Sequence, residues 1–485
     1  MSSTQLLWGK LFTLLPPKPT FLSSILIFEI GSAVSGAAPS SAVFIFGRAV
    51  AGLGAAGMMN GAIVLIVRTV PLRKRPVAQG GLGAVFGVAS IVGPVLGGVF
   101  AERVSWRWCF YVNLPCGAVS AILVLWMLRG IAEGGMGASS TGDLGLEGGS
   151  ANWAAKLKAS LLKLDPLGTI LFISSIVCLL LALQWGGTTY SWSNWRLILL
   201  LVLFPVLLLA FVLIQILRPE TATLPLRIVT QRSIASSLLF TSTSQASMLV
   251  ITYFIPLFFQ ALKRYAPLSS GLATLPTILS LVVGTIIAGG LVQRLGYPAP
   301  FMYISAILAS IGGGLISTWK IGVPRSMWIG SQVLFGLGIG MGMQQPSMTA
   351  QIVLEKLDVP TGVALMFFGQ NLGGAVFVAV AQNLVVDDLA AKLGRIAGLE
   401  ISKSDVVQMG ATKIIEAVPE ELRTVALQFY RGSVQRAFYL GVGLAAFSVV
   451  GALGVEWRSV KEAETEAETA PEGGNLNKPG MVKGD

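Results

Sequence analysis

The chain contains no histidine. That excludes zinc, di-iron and haem sites built on imidazole, and every catalytic triad in which histidine moves the proton. Charge is scarce too: 12% of the 485 residues are Asp, Glu, Lys or Arg, while 54% are hydrophobic. Soluble domains carry roughly twice that share of charge, so this is not a water-soluble globule. The cysteines, Cys109, Cys116 and Cys178, lie in or beside apolar stretches and read as small core residues rather than a disulfide framework. There is no N-x-[ST] glycosylation acceptor and no G-x-x-x-x-G-K-[ST] phosphate loop, hence no sign of an ATP-driven motor. The sequence implies no cofactor and no metal.

What it has in abundance is apolar runs of about 20 residues, the length that crosses a bilayer as a helix, recurring from residue 20 to about 456. The ten-residue alternating segments of a membrane β-barrel are missing. The fold class is therefore all-α, a polytopic membrane helix bundle. Twelve complete spans are predicted, near residues 20–38, 43–66, 78–100, 107–128, 167–185, 195–217, 235–260, 271–293, 299–318, 327–350, 361–384 and 435–456. The opening MSSTQLLWGK is too polar and short for a signal-peptide core or a full span and looks like the tail end of an earlier helix.

The formal charge of +11 is spread through connectors rather than gathered in one patch interleaved with aromatics. Membrane topology explains it better than nucleic acid does. One alternate set of connectors holds Lys10, Lys18, Arg68, Arg73 to Arg75, Arg129, Arg218, Arg227, Arg232, Arg294, Arg458 and Lys461. The positive-inside bias assigns that set, and both termini, to the cytoplasm; Arg103, Arg107, Lys263 and Arg264 dissent. The organisation that follows is a helical part at 1–129, a Gly/Ser-rich cytoplasmic linker with an amphipathic segment at 130–166, and a pair of spans at 167–217. A second helical part follows at 233–456, with an external excursion at 385–434, and an acidic tail at 457–485 is expected to lack structure.

Two charges stand inside apolar helices. Glu29, in FLSSILIFEIGSAVSG, has apolar neighbours on both sides; desolvation disfavours its charged form unless a cation is close. It is either the membrane-embedded acid that carries a proton or a fixed partner locking two helices. Arg48, in IFGRAVAGLGAAGMMNGA, lies early in an apolar helix and must face the bundle interior, water or a carboxylate, or else snorkel to the interface. The two pair only if their helix faces converge. Gln245, Gln260, Gln344, Gln345, Gln370 and Asn371 are uncharged polar residues within later spans; they line a substrate cavity or act as interhelical glue. The stretch GVASIVGPVLGG, residues 87–98, sets helix breakers inside a span. Small residues there allow close helix approach, with a kink at Pro94.

RAVAGLGAAG, then VPLRKR, GAVFGVASIVGPVLGGVF and SWRWCFYVNLPCGAV, and later YFIPLFFQAL with APLSSGLATLP, occur in this order. Together they resemble the major facilitator superfamily, specifically the fungal fourteen-span drug:proton antiporters, over residues 9 to 456. The resemblance implies two pseudo-symmetric helical halves with two extra linker spans, at 167–185 and 195–217, rocking about a central cavity. It implies proton-coupled efflux of a hydrophobic or amphipathic small molecule, such as a drug, toxin or fungal secondary metabolite. The chain would act as a monomer in the bilayer, at the plasma membrane or alternatively a vacuolar or vesicle membrane, with the small molecule and protons as its partners. Within the family pattern the coupling arginine falls on Arg48, with Gly52 following, and the antiporter motif on Gly87, Gly93, Pro94, Gly97 and Gly98. The resemblance also implies that the first span and most of the second are missing. The family's G-K-L-x-D-x-x-G-R-K loop reads GKLFTLLPPK, with Thr13, Pro16 and Pro17 at the usual Asp, Gly and Arg positions. Two other readings stay open: a transport-deficient member of the same family, and an integral membrane transferase using Asp143, Glu147 and Asp165.

Overall fold

A computed structural model describes residues 1–127, 164–187, 189–219, 221–394 and 418–469. Residues 128–163, which hold most of the linker and its amphipathic segment, residues 395–417 of the excursion, and the last sixteen residues lie outside them. Among the described residues the secondary structure is helical, apart from one isolated bridge between Gly186 and Tyr190. This is what lipid demands, because a helix satisfies its backbone groups internally. Among the described residues, ten helices are long and apolar enough to cross a membrane.

The helices are α1 (Gln5–Leu14), α2 (Pro17–Ala37), α3 (Ser41–Thr69), α4 (Arg75–Arg103) and α5 (Asn113–Met127). Then come the linker spans α6 (Pro166–Trp185) and α7 (Trp195–Leu217). The remainder comprises α8 (Arg232–Lys263), α9 (Leu275–Leu295), α10 (Ala299–Ser317), α11 (Arg325–Gly342), α12 (Gln345–Val353), α13 (Val359–Leu393), α14 (Arg423–Leu453) and α15 (Val460–Thr469). Prolines in the first turn open α2, α6, α9, α12 and α13, where a missing N–H costs nothing. Asp165 caps α6 by accepting from Gly168 N at 2.7 Å.

Three elements differ from expectation. The span at 327–350 is broken into α11 and α12, because Pro346 cannot continue an incoming helix. The last span begins at Arg423 rather than 435, so the helix-patterned EELRTVALQFYRGSVQRAF is largely its first turns. The tail expected to lack structure opens on a helix, α15, whose Val460 and Ala463 are buried; charge pattern alone missed it because the seat for those two side chains is built by distant residues.

With α11 and α12 counted as one broken span, the connectors between spans fall into two alternate sets. One, here the basic end, carries the turns at 15–16, 70–74, 218–225, 296–298, 354–358 and 454–459. Helices α2 and α3 pack face to face, as do α8 with α13 and α14, and α9 with α10's neighbour α11. The main core lies among α8, α10, α11, α13 and α14 around Phe258, Phe259, Trp319, Phe335 and Phe438. The first part of the chain meets the later part through α1 against α13 and α4 against α9. Linker spans α6 and α7 pair with each other and turn large apolar side chains outward, Leu209 and Leu217 at 69% exposure each. Such surface is tolerable only against lipid.

Candidate functional site

Helix α2 has two working faces, set by the 3.6-residue period. Ser24, Phe28, Gly31 and Ser35 meet α3, where Gly47, Gly54 and Gly57 let the backbones approach. A Cβ on Gly54 would lie 2.7 Å from Phe28 Cα, and one on Gly31 2.6 Å from Ala51 Cα. The neighbouring face, Glu29, Ser32 and Gly36, meets residues 111–117. Asn113 Nδ2 donates to Ser32 Oγ at 3.2 Å, and the Tyr111 ring covers Gly36. The Glu29 carboxylate occupies the space a Cβ at Gly117 would fill. Its Oε2 is buried with no hydrogen-bond partner among the described residues.

Arg48 points elsewhere. It lies one residue off the α3 face that meets α2, is exposed, and stands over the Phe110 ring, 5.6 Å from the centroid. Phe44, Trp106 and Phe110 pack edge to face, with Phe44–Trp106 and Phe44–Phe110 centroids 5.7 and 5.4 Å apart. Arg107 stacks on Trp106 at 4.7 Å and donates to Ala38 O at 3.3 Å. Glu29 and Arg48 form no ion pair: α2 is sandwiched between α3 and α5, so their helix faces do not converge. Gly52, one turn after Arg48, lies 3.4 Å from Met1 N measured from a built Cβ.

The antiporter-pattern residues divide along α4. A Cβ on Gly87 would overlap the Val282 side chain of α9, whereas none of Gly93, Gly97 and Gly98 has a described atom within 4 Å of one. Pro94 lies within α4, but its side chain is outside the described set. Nearer the basic end the contact tightens at glycines the sequence reading did not single out. A Cβ on Gly83 would lie 2.9 Å from Thr285 Cγ2, and one on Gly289 2.6 Å from Pro76 O. The two parts of the chain are closed against each other there.

The later polar residues are also divided. Gln260 Nε2 donates to Ser270 Oγ at 2.8 Å, and Gln370 Nε2 to Met343 O at 3.3 Å, joining α13 to the α11–α12 break. Asn371 donates to Phe367 O of its own helix at 2.8 Å. Gln345 donates to Met341 O at 3.1 Å. Gln344 and Gln345 border a small cavity with Pro76, Gln79, Thr285 and Met348, between α4 and α9, α11 and α12. Gln245 is half-buried on α8 and is not among the residues lining it.

Gln5, Asn60 and Gln79 are among the buried amides that escaped the sequence reading. Gln5 and Asn60, both fully buried, exchange hydrogen bonds of 3.2 and 2.9 Å, and Trp8 Nε1 donates to Leu53 O at 2.8 Å beside them. A lone Asn in the small-residue run GMMNGA was the available signal. Gln79 is fully buried, its Oε1 without a partner among the described residues.

At the basic end, Thr13 Oγ1 on α1 meets Thr361 Oγ1 on α13 at 3.5 Å, where the family pattern has an Asp. Arg227 pairs with Asp358 at 2.6 Å; burial pushes that carboxyl up from its ordinary value, against the pull of Arg227. Asp165, besides capping α6, accepts from Gln215 Nε2 at 2.7 Å, so it is committed to structure. Asp143 and Glu147 lie outside the described residues.

The Major Facilitator Superfamily family model matches residues 1–190. The chain is 43% identical over 466 residues to the MFS-type efflux pump MFS1 of Trichophyton rubrum, covering 96% of this chain and 84% of that one. It is 40% identical over 465 residues to the rubrofusarin-specific efflux pump aurT of Gibberella zeae, covering 96% and 81%. Among solved structures it is similar to the human organic anion transporter MFSD10, with a TM-score of 0.53 at 12% identity, over 92% of this chain and 83% of that one. That likeness speaks to the fold alone. With relatives this similar along nearly its whole length, the all-helical chain belongs to the major facilitator superfamily.

Proposed function

We propose that the protein is an efflux transporter that exports a hydrophobic or amphipathic small molecule, of the class of drugs, toxins and fungal secondary metabolites, in exchange for protons. Relatives over 90% of the chain named as efflux pumps support the direction of transport. Positive-inside bias puts the basic end, and both termini, in the cytoplasm, and the chain works as a monomer in the plasma membrane.

The observation that carries proton coupling is Glu29. It is an acid inside an apolar helix, with one carboxylate oxygen buried and without a partner among the described residues, pressed against Gly117. A carboxylate so held gains or loses a proton with large energetic consequence, and no histidine competes for the role. Arg48, stacked in the aromatic cluster on the adjacent helix, supplies a fixed positive field near the same end of α2 and α3 rather than a direct ion pair. Gly87 packs in the closed seam, while Gly93, Pro94, Gly97 and Gly98 serve the state in which the opposite end closes. Gln245, Gln344, Gln370 and Asn371 face the substrate path during the cycle, with Gln260 steadying its rim.

Glu29→Gln keeps the shape and removes the ionisation. In inside-out vesicles with an imposed pH gradient it should abolish proton-driven uptake of substrate while leaving expression intact. Undiminished uptake would remove Glu29 from the mechanism. Arg48→Lys, which keeps charge and loses the planar fork, should weaken uptake without abolishing it.

A further inference from the structure

We infer that the acidic helix α15 is an intramolecular clasp that holds the two parts of the transporter together at the basic end and must let go before that end opens. The inference rests on the alternating-access reading above, and it starts from how α15 is seated. The chain leaves α14 at Leu453, turns through 454–459, and lays α15 across the junction of α9 with the 70–74 turn. Val460 N donates to Gly296 O at 2.8 Å, and Lys461 Nζ to Arg294 O at 2.7 Å. These bonds cap the end of α9, where Gly296 sits at φ +95° with Ser459 packed against it.

The other side of α15 reaches the first part of the chain. Arg73 N donates to Glu464 Oε1 at 3.4 Å. Val460, 1% exposed, and Ala463, 9%, share an apolar cluster with Ala288, Val292 and Met348, against which Leu72 packs. Helix α15 therefore touches both sides of the α4–α9 seam. Beside it a surface cleft is lined by Arg73, Lys74 and Arg294 with Glu464 as its acid. Opposite charge and apolar burial act together, and neither alone would hold a ten-residue helix, which is too short to be stable in water unaided.

Another contact between the same two parts at this end, Thr13 with Thr361, is uncharged. The clasp thus supplies from the tail a carboxylate that the α1–α2 loop does not.

The test uses the full chain in lipid nanodiscs, where both faces are accessible, with Cys109→Ser, Cys116→Ser and Cys178→Ser and a reporter Gln79→Cys. Position 79 is fully buried in the seam, so a maleimide reaches it only when the basic end opens. Ala463→Asp, which buries a charge in the apolar seat, and Glu464→Lys, which reverses the charge, should each raise the labelling rate at least about fivefold. Unchanged rates in both variants would overturn the clasp. In a chain with native Gln79, a disulfide between Arg73→Cys and Glu464→Cys should slow efflux until reductant is added; undiminished efflux with the disulfide formed would overturn it equally. If the unmodified protein moves no substrate, the transport reading fails, while labelling still reports on the clasp.

Discussion

Two glycine-rich helices in this protein look alike in sequence and do different work. In α3, Gly47 and Gly54 meet backbone of the same part, Gly47 with its built Cβ 2.8 Å from Ser35 N and Gly54 against Phe28, while Gly57 and Gly61 meet the Trp8, Phe12 and Phe21 rings of that part. In α4, the glycines in tight contact meet chiefly α9, in part through movable side chains, and a Cβ on Gly93, Gly97 or Gly98 would have no described atom within 4 Å. The first pattern is a permanent joint inside one part of the molecule. The second is a surface between two parts, engaged at the basic end in this state and free farther along. Small residues are common to both because both require close approach; what separates them is whether the partner belongs to the same rigid unit.

Leucine scanning of the glycines sharpens or breaks that distinction in a single thermal-unfolding assay. The largest loss is expected for Gly54→Leu, which has only backbone to displace. It should cost more than about 3 kcal/mol and leave little monodisperse protein after solubilisation. Gly87→Leu should cost about 1–2 kcal/mol, since Val282 can rotate aside, and should slow efflux more than it lowers the melting temperature by wedging the seam. The smallest effect is expected for Gly97→Leu, within about 0.5 kcal/mol of the parent. A melting temperature for Gly97→Leu as low as that for Gly54→Leu would erase the contrast between joint and surface.

The Glu29 and Arg48 neighbourhoods show how far pattern carries a site. Both stand out because a charge in an apolar run is costly, which a sequence displays directly. Their separation does not. Glu29 belongs with Ser32 and Gly36 on the face toward α5, and Gly117, which gives the carboxylate its space, is 88 residues downstream in a commonplace NLPCGAV. The Gln5–Asn60 pair is similar: each is an unremarked polar residue until the fold brings them within 3.2 Å. Gln260, Gln370 and Asn371 carried the right chemistry for a cavity, yet in this state all three spend their amide donors on protein oxygens.

The amino-acid sequence by itself determined that the chain is helical and membrane-embedded, where its apolar runs lie, and to which family its motifs point. Those are consequences of composition and local spacing, since a bilayer leaves an apolar 20-residue segment few alternatives to a helix. Only the tertiary structure decided which glycines are joints, that Glu29 faces α5 rather than Arg48, and that part of an acidic tail folds. Each of these depends on a partner distant in sequence, and neither the period of a helix nor its charge specifies which neighbour will stand across from it.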